Sequence, residues 1–229
     1  MTDPLAEQDD TSTPLSPEER EGLIPSYITL RGELNEAEQE NILEADAWAF
    51  SRKRDVLDEK FLNALHKRMY GNVWRWAGSY RKSQKNIGIE FYKIPTELRT
   101  LLDHCRYWVQ NNTYPPDEIA ARFHHGLVAI HCYPNGNGRH ARLAADLLLV
   151  SLGRERFSWG SANLVDAGAT RAAYVAALRA AAASSSSKPP QAPKSRRRSR
   201  RCSWLGRCLR QRPSAARPAA KAGAGGGLG

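Results

Sequence analysis

The sequence predicts an all-α bundle with one short β-hairpin, followed by a disordered basic C-terminal tail. Three observations carry this reading. Apolar residues recur at helical spacing in six stretches between residues 35 and 183. One stretch, Lys85 to Phe91, alternates instead. From Ser184 onward the periodicity stops, and Ser, Pro, Ala, Gly and Arg dominate.

Taken in order, residues 1–22 are polar, acidic and proline-containing, and are expected to be a flexible segment. Residues 23–183 form the expected domain, beginning with an irregular lead-in from Leu23 to Leu34. A helix follows from Asn35 to about Arg54: Asn35 can cap it, Glu38 stands three residues on as in a capping box, and Ile42, Ala45, Ala49 and Phe50 form its apolar stripe. Leu57 to Tyr70 reads as a second helix, capped at Asp55 or Asp58 and stopped by Gly71. Arg75 to Arg81 is turn-rich, and Lys85 to Phe91 is the hairpin candidate. Thr96 can cap a helix to Asn111, and Pro115-Pro116-Asp117 opens the next, which ends at His131. Another runs from about Gly136 to Leu152, where Gly153 stops it, and the last spans Thr170 to Ala183.

The chain of 229 residues is long enough for one domain with a real core. Its net charge of +10 is a property of the tail. Twelve of the 34 basic side chains and none of the 24 acidic ones lie in residues 184–229, leaving 22 against 24 in the rest. The tail offers too little apolar surface to offset the entropy of ordering. Its cluster Arg196-Arg197-Arg198-Ser199-Arg200-Arg201 could bind nucleic acid through charge alone. The abrupt change between Ala180 and Ser187 favours the other reading, a GC-rich gene translated out of frame. Cys105 and Cys132 show neither disulfide nor zinc spacing, which suits a reducing interior. With no secretory leader in the first residues and no apolar run of membrane-spanning length, the expected location is cytoplasmic, without a membrane partner.

The most informative run is His131-Cys132-Tyr133-Pro134-Asn135-Gly136-Asn137-Gly138-Arg139-His140-Ala141-Arg142. A helix N-terminus exposes unpaired amides and partial positive charge, and glycines let an anion approach them closely. Gly136 and Gly138 are placed for such a nest, Asn137 can add a donor, and Arg139 and Arg142 can fork phosphate oxygens. His131 can accept a proton near neutral pH. Taken singly, a Gly-Asn-Gly turn, a helix-start Arg or a helix-end His would predict little. Together they specify a phosphate site beside a base. No P-loop or dinucleotide fingerprint is present. His124 and His125 are adjacent on a helix and point apart, which argues against zinc. His140 is read as a surface residue.

The run His131-x-Tyr133-x-Asn135-Gly136-Asn137-Gly138-Arg139-x-x-Arg142 closely resembles the Fic motif, His-x-Phe-x-Asp/Glu-Gly-Asn-Gly-Arg-x-x-Arg. The lead-in Glu21-Gly22-Leu23-Ile24-Pro25 and Arg31-Gly32-Glu33-Leu34-Asn35-Glu36 resembles, more loosely, the branch called mobile mystery protein B. The resemblance implies a Fic-type bundle and a protein adenylyltransferase that moves AMP from ATP to a Ser, Thr or Tyr hydroxyl of a target. By position it makes His131 the base and places Asn135, Gly136, Asn137, Gly138, Arg139 and Arg142 around the nucleotide. Tyr133, at the family's Phe position, would anchor the loop, with its hydroxyl needing a partner. Lys85, Asn86, Ile87, Gly88 and Ile89 would form the flap on which a target strand docks. One position departs: Asn135 stands where the family's Asp or Glu binds magnesium. An amide oxygen can coordinate a hard cation but brings it no charge, so the expected cofactors are ATP and a more weakly held magnesium. The chain is then a slower adenylyltransferase, a transferase of another group, or a nucleotide binder without turnover. The family's inhibitory glutamate would sit at Glu21 or Glu33, each an imperfect match to Ser/Thr-x-x-x-Glu-Gly/Asn.

Overall fold

A computed structural model describes residues 15–159. The chain divides into a unit Met1–Lys188, which contains all of these, and a second, Pro189–Gly229. The expected helix at 170–183, the tail and residues 1–14 lie outside the described residues.

The described part is helical: α1 (Pro17–Arg20), α2 (Arg31–Phe50), α3 (Glu59–Tyr70), α4 (Ile94–Gln110), α5 (Pro116–Ile130) and α6 (Asn137–Ser151). Helix α6 is central and packs on α5, α3 and α2, while α2 pairs with α3 and α4 with α5. Its Ala141, Leu143, Ala144, Ala145, Leu147 and Leu148 are all buried, and they face the core formed by Leu62, Leu65, Met69, Phe123 and Leu127. His140 is therefore not a surface residue. It is 2% exposed, with Nε2 3.0 Å from the Leu62 carbonyl, because α6 is enclosed on nearly every side.

Several boundaries differ from expectation. Residues 15–22 are not a loose leader: Ser16 and Glu19 form a capping box that starts α1. Helix α2 begins four residues before Asn35, because Glu33 accepts the amides of Thr29 (2.8 Å) and Leu30 (3.0 Å) and caps the helix there. Asp58 caps α3 through the Phe61 amide and Gly71 ends it, as expected. A 3-10 turn, Phe91–Lys93, leads into α4, so Thr96 lies inside that helix rather than at its cap.

The hairpin expected at 85–91 is not formed. Among the described residues the only strand pairing is an isolated bridge between Leu23 and Trp74. Residues 83–89 bend without a ladder, and the Arg81 guanidinium takes the carbonyls of Ser83 and Ile89 that strand partners would have used. Among the described residues no helix is long and apolar enough to cross a membrane.

Candidate functional site

The site is one turn of chain between α5 and α6. Helix α5 ends because His131 adopts the left-handed conformation, φ 58° and ψ 63°, which redirects the backbone out of the helix. Its amide still donates to the Leu127 carbonyl at 3.1 Å. The imidazole is buried, and that burial first, then the positive charges of Arg81 and Lys85, holds its pKa down at about 4. Near pH 7 it is neutral and can take a proton.

The turn is braced from inside. The Tyr133 ring stacks on His66 at 3.7 Å between centroids, and its hydroxyl donates to Asn63 Oδ1 at 2.9 Å, the partner its burial required. Asn137 Oδ1 accepts the Tyr133 amide (2.9 Å), and its Nδ2 donates to the Tyr133 carbonyl (2.8 Å). The Asn137 side chain thus closes the turn on itself, with its amide pointed at Tyr133. His66 supports the same turn from α3. Its Nδ1 accepts the Gly78 amide at 3.0 Å, so Nε2 carries the proton and donates to the Asn135 carbonyl at 3.1 Å. Burial first, then His140, keeps His66 neutral by pushing its pKa well down.

Gly136 begins α6 with φ 76°, and a Cβ there would strike the Tyr70 ring at 2.5 Å. Only glycine fits. No side chain caps the helix, so the amides of its first turn face outward. A Cβ on Gly138 would meet no protein atom within 4 Å, which leaves that side open for close approach of an anion. Asn135 Oδ1 accepts the Gly136 amide at 2.6 Å, so its side-chain oxygen is already engaged at the helix start.

Arg139 projects from the first turn of α6 over the Tyr70 ring, 5.2 Å from its centroid, and donates to Glu38 Oε2 at 2.6 Å. Glu38, 3% exposed, also accepts the Trp74 indole N–H at 2.7 Å. Arg142 lies near enough to His124 and Tyr70 to influence both electrostatically. His124 is buried against Trp159, with ring centroids 4.7 Å apart. Glu33 is spent on its cap and Glu21 is exposed at the end of α1, and Arg139 of the motif instead pairs with Glu38.

The 85–89 segment lies against His131. Asn86 and Ile87 are exposed, Lys85 pairs with Glu19 of α1, and Gly88, at φ 90°, sits where a Cβ would come within 2.5 Å of His131 Cβ. Four residues that shape the site escaped the sequence reading: Arg81, His66, Glu38 and Glu19. His66 shares the apolar face of Leu62, Leu65 and Met69, which is a legible sign of burial. Arg81 closes a turn-rich segment, which alone signals nothing.

Residues 56–149 match the model of the Fic/DOC family. The chain is 32% identical over 105 residues to a protein adenylyltransferase Fic of Aedes aegypti, covering 44% of this chain and 21% of that protein. It is 34% identical over 104 residues to the Drosophila mojavensis protein of the same name, covering 44% and 20%. It thus spans about a fifth of the length of these curated relatives. The fold matches Fic-1 (residues 134–508) from C. elegans with a TM-score of 0.53 and 24% identity, over 70% of this chain and 47% of that one. Helices α3 to α6 and the turn between α5 and α6 fall almost wholly within the residues that match the Fic/DOC family model.

Proposed function

We propose that this chain is a protein adenylyltransferase that moves AMP from ATP to a Ser, Thr or Tyr hydroxyl of a protein target. The observation that carries this reading is the single braced turn, which holds a neutral His131 at one end and the uncapped N-terminus of α6 at the other. His131 takes the hydroxyl proton as the oxygen attacks the α-phosphorus. The new P–O bond forms, the bond to the bridging oxygen breaks, and pyrophosphate leaves. The amides of Asn137, Gly138 and Arg139, which no side chain caps, stabilise the charge that develops on the phosphate, while Gly136 gives the turn its shape. Arg142 and Arg139 bind the outer phosphates, the latter at the cost of its contact with Glu38. Asn137 acts through the backbone of Tyr133, by keeping the turn in shape. The edge at Lys85, Asn86, Ile87, Gly88 and Ile89, exposed at its middle three residues, is the proposed seat of the target strand.

Magnesium, which the family resemblance implies, does not fit position 135. The residue offers an uncharged amide oxygen, which also accepts the Gly136 amide, in place of a carboxylate. Phosphate charge is left to the arginines and the helix amides.

The test is the intact mass of the protein after incubation with ATP, for wild type beside His131→Ala. An AMP adduct that disappears in the variant is the expected result; a phosphate adduct, or an adduct that survives in the variant, overturns the proposal. A second reading, nucleotide binding without turnover, draws on Asn135 and on the pairing of Arg139 with Glu38. Saturable ATP binding with no adduct would select it.

A further inference from the structure

Arg81 is 2% exposed and is among the largest fully buried side chains of the protein. Its hydrogen bonds run to backbone carbonyls in two separate places. Nε donates to the His131 carbonyl at 2.7 Å, Nη1 to Ser83 at 2.9 Å, and Nη2 to Ile89. Its own amide donates to the Cys132 carbonyl at 3.0 Å. One residue therefore fixes two successive carbonyls at the base and both ends of the 83–89 segment. A guanidinium can do this because its donors lie in a rigid planar fork; an ammonium has no such fork. The carbonyl of His131 is available to Nε because the left-handed turn has carried it off the end of α5. Such a backbone is strained for a non-glycine residue and persists only where surroundings hold it. The segment is also in direct contact with the base: a Cβ at Gly88 would lie 2.5 Å from His131 Cβ and 3.1 Å from Arg81 Nη2. On its far side the segment is tied down by Glu19, which accepts from Ser83 and Lys85.

We propose that Arg81 is a positioning residue that keeps His131 in register with the 83–89 edge, so that a hydroxyl presented on that edge meets the base. This rests on the functional reading above, in which His131 is the base and the edge seats the target. A general fold residue would affect everything at once. A positioning residue affects the transfer step and the local edge, and leaves nucleotide binding on α6 as it was.

The experiment uses the full chain as wild type, Arg81→Lys and Gly88→Ala, with two readouts. Peptide-resolved hydrogen exchange without nucleotide follows residues 83–89 and 131–133 against the rest of the bundle. Transfer of label from α-labelled ATP to the chain itself gives kcat and the KM for ATP. In Arg81→Lys, exchange should speed up in those two stretches only, and kcat should fall by about tenfold or more while KM for ATP stays within about twofold. Gly88→Ala retains the guanidinium and pushes the edge off His131, so it should lose kcat in the same way. Unchanged local exchange in Arg81→Lys, a rise in KM at constant kcat, or faster exchange throughout the bundle would each overturn the proposal. So would loss of the folded state in Arg81→Lys, which would make Arg81 a general structural residue. If wild type transfers no label, the functional reading fails by itself, and the exchange comparison still decides whether Arg81 holds the edge to the base.

Discussion

Asn135 separates this site from one built around a carboxylate. Its Oδ1 takes the Gly136 amide at 2.6 Å, a bond an aspartate at the same place would keep, with added charge favoured by the N-terminus of α6. Asn135→Asp should therefore fold as wild type does and gain an anionic ligand for a hard cation. Labelling by ATP should rise by about tenfold with magnesium, equivalent to about 1.4 kcal/mol at the transition state, and should fall back in chelator. Equal rates with magnesium and with chelator in the variant would show that charge at 135 is not what limits transfer. Residue identity along this turn was legible in the sequence, because glycine, asparagine and arginine at fixed offsets imply an anion site. The destinations of the side chains were not. Asn137 reads as a phosphate donor, yet its amide is bonded to both polar groups of the Tyr133 backbone.

At the scale of elements, α2 reaches the site through Glu38. The carboxylate is enclosed, with one oxygen on the Trp74 indole and the other on Arg139. Glu38→Gln would keep an acceptor for Trp74 and leave Arg139 partly buried without its counter-charge. Removing one member of a buried pair is costly, and the 32% exposure of the Arg139 side chain reduces the effect to about 2 kcal/mol. A urea midpoint unchanged from wild type would show that Arg139 is already adequately solvated. Sequence periodicity placed five of the six described helices, because each buries one stripe or more against its neighbours. It missed the start of α2 for a specific reason. Asn35 with Glu38 and Leu30 with Glu33 share the same three-residue spacing, and Glu38 is withdrawn from capping by partners 36 and 101 residues away. The hairpin failed in the same way: local alternation at 85–91 yields to a guanidinium that binds the segment's carbonyls from outside it. Short-range pattern locates elements, whereas long-range polar pairing sets their ends and shapes the loops between them.

For the whole molecule, the buried imidazoles link function to acid stability. His66, His124, His131 and His140 are each enclosed, and burial pushes all four pKa values down, the last three to about 4. An unfolded chain would take up protons at these positions from about pH 6.5 downward, while the native state resists until lower pH. Their contribution to stability is therefore complete above about pH 7 and is lost as pH falls toward 4. For His124, His131 and His140 together the loss between pH 7 and pH 5 is about 5 kcal/mol. That is comparable with the whole stability of a typical domain, about 5–15 kcal/mol. Urea unfolding at pH 7, 6 and 5 should show a steep fall in the midpoint over a range where carboxylates scarcely titrate, and a flat profile would rule out neutral burial of these groups. His140→Gln sharpens the test. Glutamine can still donate to the Leu62 carbonyl that His140 Nε2 meets at 3.0 Å, but it cannot gain a proton. It should remove about a quarter of the pH dependence, since one of four such groups is lost. The remaining slope would belong to His66, His124 and His131, so the acid limit of the fold and the protonation of His131 should move together.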